Sequence, residues 1–272
     1  MKLPIPDELR RFAVEFRREI REDHIGQGAA ALAFYWMLAL FPAAIFLLTL
    51  LAYLPIPHLE RAVMHFARTT LPDDAGALLS SFVDNVLSHK RGGLLSFGAV
   101  LTVWSTSGGI HALMHQLNVA WDVNESRPFW RRRLVAMLIA LCFVLLVIAA
   151  FGLIVFGRAL HLRLLRWLIV CVALNVGIAL IYHYGPNVRR PFRLATPGSL
   201  LALAMLIVAS VGFQIFVSRV ASFNITYGSL GAAITLMLWL YLAGWAILLG
   251  AELDATLASF GAAENMNART GV

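Results

Sequence analysis

Charge is what this chain has little of. Only 14% of its 272 residues are Asp, Glu, Lys or Arg, against about a quarter in an ordinary soluble domain. The deficit is concentrated in long windows with no charged residue at all, as a bilayer core demands of about 20 consecutive helical residues. A polytopic membrane protein follows. Cysteine is scarcer still: Cys142 and Cys171 both fall inside apolar runs, without CxxC or Cys/His spacing. Neither a disulfide framework nor a zinc ribbon is implied. Acidic residues are absent from the middle of every apolar window. That removes the buried acidic relay of many proton-coupled transporters and the carboxylate cluster of two-metal phosphodiester cleavage. No GxSxG elbow and no GxxxxGK[ST] loop occurs. The chain is expected not to be an enzyme and to carry no metal or cofactor.

The net charge is +7, which in a soluble protein points to nucleic acid. Here the basic residues gather in short loops between apolar runs, as the positive-inside bias dictates. No nucleic-acid partner is expected.

What is present is apolar and helical. Six windows, roughly 29–54, 94–118, 134–157, 167–185, 197–218 and 229–251, each have the length of a membrane span. The fold class is all-α, and the chain divides into three parts. Residues 1–28 form a cytoplasmic amphipathic helix: in DELRRFAVEFRREIRED, Leu9, Phe12, Phe16 and Ile20 share one stripe. Residues 29–258 hold the six spans, with Pro42 inside the first as a kink. Their one sizeable loop, residues 55–93, reads as a helical extracytoplasmic cap. Residues 259–272 form a disordered cytoplasmic tail. Lys and Arg number 14 on the side of the N-terminal tail against 8 on the other, which puts both termini in the cytoplasm.

The second span turns polar halfway along, in WSTSGGIHALMHQLN. Ser107, His111, His115 and Asn118 fall on one stripe at helical pitch, continuing to Asp122, beside a stripe of small residues: Ser105, Gly108, Gly109 and Ala112. This side is expected to face the protein interior. Three readings compete: ordinary helix packing, a polar path, and a metal site on the two histidines. Zinc takes three or four protein ligands, and HALMH lacks the internal Glu of HExxH, so no metal is assigned. In the sixth span, Tyr227, Gly231, Tyr241, Trp245 and Glu252 share an arc. Glu252 has two readings, a structural ion pair with loop arginines and a gate or headgroup contact. Arg127, Arg131, Arg132 and Arg133 set topology, or hold anionic headgroups.

These residues resemble a known family. WSTSGGIHALMHQLNVAWDVNESRPFWRRRL is similar to the second-span signature of the YihY/BrkB family of bacterial inner-membrane proteins. AFYWMLALFP, YGPNVRRPFRLATPGSLLA and NITYGSLGAAITLMLWLYLAGWAILLGAELDA resemble its other blocks, so the likeness spans residues 26–258. The resemblance implies six helices in the inner membrane with both ends cytoplasmic. It brings a ribonuclease BN label generally regarded as a misassignment, an association with virulence, and proposals of amphiphile export. By motif it singles out Tyr35, Pro42, Trp104 to Gly108, Asn118, Arg127, Trp130, Pro186, Asn187, Pro197, Gly198, Tyr227 to Gly231, Trp239, Tyr241, Gly250 and Glu252.

The expectation is an exporter or flippase-like protein for a small amphiphilic or anionic substrate of lipid or siderophore type. Its path is lined by Tyr35, Trp104, Ser107, His111, His115, Asn118, Tyr227, Tyr241 and Glu252, with bending at Pro42 and at Gly228. Membrane lipids are the expected partners, and the small-residue faces permit a homo-oligomer. A non-transporting envelope scaffold and a membrane-embedded hydrolase are the alternatives.

Overall fold

The structure, a computed structural model, describes residues 7–51, 92–156, 163–188, 190–220 and 223–270. Every element among the described residues is a helix. These are α1 (Asp7–Glu22), α2 (Ile25–Leu51), α3 (Gly92–Ala120), α4 (Phe129–Phe156), α5 (Arg163–Tyr184), α6 (Pro197–Val220) and α7 (Phe223–Thr270).

Helix α1 is amphipathic and has a partner for its apolar face. Phe12 stacks on Phe16 at 6.1 Å and meets the ring of Phe260 edge-on at 5.8 Å, so α1 docks on the far end of α7. Its outer face carries Arg18, which donates to Glu15 and Glu19, pairs of the kind that add a few tenths of a kcal/mol to a helix. A single residue turns α1 into α2. His24 has φ 49°, ends α1, and already accepts from Gln27 N at 2.8 Å as the first carbonyl of α2.

Helix α3 ends in a Schellman motif. Val123 N donates to Asn118 O at 3.0 Å, Asp122 N to Val119 O at 2.9 Å, and Asp122 takes φ 50°. Asp tolerates this left-handed conformation better than most residues with a Cβ. Helix α6 opens on a reciprocal cap. Ser199 N donates to Thr196 Oγ1 and Thr196 N to Ser199 Oγ, both at 3.0 Å, with Pro197 in the first turn, where its missing N–H costs nothing.

The helices pack α2 on α3 and α7, α6 on α7, and α3, α4, α5 and α6 in sequence. The core sits at one end of this bundle, the end that carries the connections 121–128 and 185–196. There Ala29 and Leu32, Leu113 and Leu117, Ala136 and Ala140, Ile178 and Ile181, and Leu248 and Ala251 are buried together. Two close approaches make this possible. At Gly244 an added Cβ would lie 3.2 Å from the Ala29 backbone, and at Gly109 it would lie 2.9 Å from the Trp36 ring. The small-residue stripe of the second span thus receives α2 at Gly109, whereas Gly108 faces open space.

Away from that end the apolar side chains point outward. The stretch Pro197–Val217 of α6 has mean hydropathy 2.5 and only 6% of it is buried. Burial in lipid accounts for such a surface, since each Å² of apolar area left in water forfeits about 25 cal/mol. Four segments among the described residues are long and apolar enough to cross a membrane: Ile25–Ala43, Trp167–Tyr184, Pro197–Val217 and Ala233–Gly261.

Six had been expected. Helices α3 and α4 match the second and third expected spans in position but are not among the four. The polar half of α3 dilutes its apolar character, and much of α4 beyond Cys142 has side chains outside the described set. The expected cap, residues 55–93, lies almost wholly outside the described residues. The tail expected to be disordered is a correction: α7 runs on to Thr270. Leu253, Leu257 and Phe260 keep an apolar spacing past the expected end, and Phe12 covers one of them. Pro42 lies within an unbroken α2.

Candidate functional site

Three groups of side chains gather at or near the packed end of the bundle. The first is a polar knot that ties the end of α3 to the end of α5. Asn118, only 4% exposed, donates to Glu125 Oε2 at 3.0 Å and accepts from Asn187 N at 2.7 Å. Asn187 returns two bonds, to Asn124 O at 3.0 Å and Ser126 Oγ at 2.7 Å. Arg127 grips Glu125 with Nε at 2.8 Å and an Nη at 2.7 Å, and reaches Tyr184 O and Gly185 O at 3.1 and 2.7 Å. The Arg127 hydrogen bonds hold the Glu125 carboxyl down at about 2, against burial that works the other way. Both oxygens of Glu125 and all three guanidinium nitrogens of Arg127 are used internally. The chemistry of the knot is structural.

The second group is on α7. Glu252, Asp254 and Thr256 are buried, Glu252 to 1% exposed. Asp254 Oδ1 accepts from Gly198 N at 2.8 Å, at the partly positive N-terminus of α6. Beside it Gly198 and Gly250 cross so closely that a Cβ on either would meet the other's carbonyl oxygen. Tyr182 closes this side by donating its hydroxyl to Ile247 O. Glu252 lies near the Asp23 carboxyl at the α1–α2 corner, and its Oε2 has no hydrogen-bond partner. The expected ion pair of Glu252 with loop arginines is therefore corrected: its neighbour is a second carboxyl. The sixth span was expected to end at 251, with Glu252 at its end; the apolar segment is longer, Ala233–Gly261, and takes in both Glu252 and Asp254. The helix continues past them, so they are not at its end.

The third group faces outward. Arg133, near the start of α4, lays its guanidinium over the Trp104 ring at 4.2 Å and approaches Trp104 O at 3.5 Å. Trp104 is 68% exposed and Trp130 80%. Trp104, Gly108, His111 and His115 follow one another on that face of α3, with His111 half-buried and His115 exposed. Among the described residues Arg133 pairs with no carboxylate. Arg132 lies over Phe129 at 5.9 Å, and Arg131 is exposed.

The expected path residues are thus spread over several surroundings. Ser107 is fully buried and donates to Trp104 O at 2.8 Å, and Asn118 is consumed in the knot. Tyr35 is exposed at the surface, Pro42 is half-buried in α2, and Tyr241 is half-buried against Gly26. Backbone helix covers Tyr227 and Gly228, whose side chains lie outside the described set. The polar stripe of the second span does not all face inward, as expected: its two ends are buried and its histidines lean out. Of the four arginines, Arg127 is committed to the knot and the other three remain near the open face. No three His, Cys, Asp or Glu side chains among the described residues group to hold a metal.

A family model described as virulence factor BrkB matches residues 16–270. The chain belongs to the BrkB family. Its relatives include a Bacillus subtilis protein named "Putative ribonuclease-like protein YfkH", 36% identical over 86% of this chain and 90% of that protein. UPF0761 membrane proteins of Xanthomonas oryzae and Verminephrobacter eiseniae are 27% and 28% identical over 89% and 91% of this chain. The chain spans only 60% and 62% of the length of those two proteins. No solved structure matches it significantly. This BrkB-family chain is a membrane protein, which accounts for the outward apolar faces of α2, α5, α6 and α7.

Sequence reasoning missed Asp23, Asp254, Glu125 and Arg190. Asp23 read as the last charge of an amphipathic helix. Asp254 read as lying just past the sixth span, although the apolar spacing around it signals a continuing helix. Arg190 lies over the Trp121 ring at 3.5 Å, a contact between two loops that no local pattern announces.

Proposed function

We propose that the protein is a bacterial inner-membrane exporter or flippase-like transporter for an amphiphile with an anionic head group. In this reading α2 to α7 make six crossings, and the packed end and both termini lie in the cytoplasm. The observation that carries it is the position of the Arg133 guanidinium. It lies over Trp104, near the middle of the expected second span, on an outward face and without a carboxylate partner among the described residues. A cation at membrane depth is costly and by default marks a substrate route. A phosphate or carboxylate head group would supply the missing anion through charge-assisted bonds. The exposed Trp104, Phe129 and Trp130 offer apolar surface to the acyl or aromatic part of the same molecule.

The test is flux. The purified full-length chain in vesicles is expected to move a fluorescent phosphatidylglycerol between leaflets, followed by quenching from outside. A hydrogen bond to a charged group contributes about 1.5–3 kcal/mol, so Arg133→Ala is expected to slow movement about tenfold or more. Equal rates in wild type and folded variant would remove Arg133 from the route. The name of the Bacillus relative favours a second reading, RNA hydrolysis. Cleavage of RNA by the pure chain, abolished by His111→Ala, would put that reading first.

A further inference from the structure

Helices α4 and α5 pack on each other without closing along their whole length. Between them lies an open hollow with about 250 Å³ of empty space, lined by Ile139, Cys142 and Leu146 of α4 and by Gly177, Leu180 and Ile181 of α5. Gly177 makes the room. A Cβ built there would already meet Leu146 at 3.4 Å, so a longer side chain would fill the space. No lining side chain carries a nitrogen or an oxygen, and the Cys142 thiol is exposed.

The hollow has a basic mouth. At helical pitch Ile139, Cys142 and Leu146 fall within about 60° of arc on α4, and Arg131 and Arg132 flank the same arc at its packed end. On α5, Tyr184 ends the stripe of Gly177, Leu180 and Ile181, and it is exposed. Among the described residues neither Arg131 nor Arg132 forms an ion pair. Arg133 is turned about 200° from Arg131, toward Trp104 on α3, so this is a separate place on α4.

We propose that the α4–α5 hollow holds one acyl chain of an anionic phospholipid, with its phosphate bound at the mouth by Arg131 and Arg132. The lengths agree. A rise of 1.5 Å per residue puts Ile139 about 12 Å and Leu146 about 22 Å from Arg131 along α4. One leaflet contributes about 15 Å of hydrocarbon below its head groups, and an arginine reaches outward to those head groups along its own apolar stem. A hydrocarbon chain suits walls that offer no polar partner, whereas a helix about 10–12 Å across is too wide to enter. The site needs α4 and α5 to cross the membrane side by side. It does not depend on transport, because its readout is a bound lipid and not a flux.

The experiment offers the full-length chain, in a maltoside detergent, equal amounts of dioleoyl phosphatidylglycerol and dioleoyl phosphatidylcholine. These differ only in the head group. Native mass spectrometry is expected to find about one phosphatidylglycerol per chain, preferred about fivefold or more, since each arginine near an anionic head group contributes about that factor. Arg131→Ala is expected to lower the preference about fivefold, and Gly177→Leu to displace the lipid by filling the hollow. Phosphatidylglycerol is also expected to slow the reaction of Cys142 with N-ethylmaleimide in the wild type, while Cys171, on another face of α5, serves as the internal reference. That last readout needs no variant to fold. Equal retention of the two lipids, retention unchanged in folded Arg131→Ala and Gly177→Leu, or a Cys142 rate indifferent to phosphatidylglycerol overturns the site.

Discussion

Arg127→Ala is expected to lower the folded stability by about 3 kcal/mol or more, the range for breaking a buried ion pair by removing one partner. The cause lies in what the guanidinium leaves behind. Glu125 would lose both of its charged donors, and the carbonyls of Tyr184 and Gly185 would lose theirs. The α3–α4 and α5–α6 connections would then be held together through Asn118, Asn187 and the contact of Arg190 with Trp121. Lys at this position would restore charge without the planar fork and should recover only part of the loss. Thermal unfolding of the purified chain reads the difference. The pH profile identifies its source. A carboxyl held at about 2 stabilises fully above its usual 4.5, and that contribution is lost as the pH falls toward 2. Arg127→Ala should flatten this acid limb, and an unchanged limb would mean that Glu125 draws its stabilisation elsewhere.

Gly198→Ala is expected to be at least as costly. A methyl there would meet the Gly250 carbonyl oxygen, which is backbone, and the carboxyl of the buried Asp254. Overpacking of this kind costs about 1–3 kcal/mol and more where backbone must move. It would also displace Asp254 from the Gly198 N–H, uncovering a second buried carboxylate oxygen besides the unpartnered Oδ2. Gly250→Ala should behave alike, since its Cβ would meet Gly198 O, the Tyr182 hydroxyl and Ala202. The control is Gly212→Ala in the same helix as Gly198, where a methyl would touch nothing within 4 Å. Removing a helical glycine there should leave stability unchanged or raise it by about 0.5–1 kcal/mol. Equal Tm shifts for Gly198→Ala and Gly212→Ala would contradict the close α6–α7 crossing.

Much of this arrangement was legible in the sequence, for a physical reason. Helix positions follow from where uncharged runs start and stop, and the expected spans agree with α2 to α6 within a few residues. The residues singled out by resemblance prove to be paired: Asn118 with Asn187, and Gly198 with Gly250. What local pattern cannot carry is the partner of a buried charge. One of the two readings of Glu252 paired it with an arginine because arginines crowd the neighbouring loops, yet the α1–α2 corner brings Asp23 near it. Ser107 and His111 occupy one polar stripe by pitch, but α2 covers only part of it, so one is buried and the other leans outward. Trp104 and Arg133 were each singled out, but no local pattern joined them, because Arg133 reaches Trp104 from another helix.

The most direct measurement is mass spectrometry of the lipids that leave the membrane with the protein in native lipid particles, wild type beside Arg133→Ala. The account predicts an anionic amphiphile enriched over bulk membrane in the wild type and reduced to bulk level in the variant. Bulk-like lipid around both proteins would contradict it.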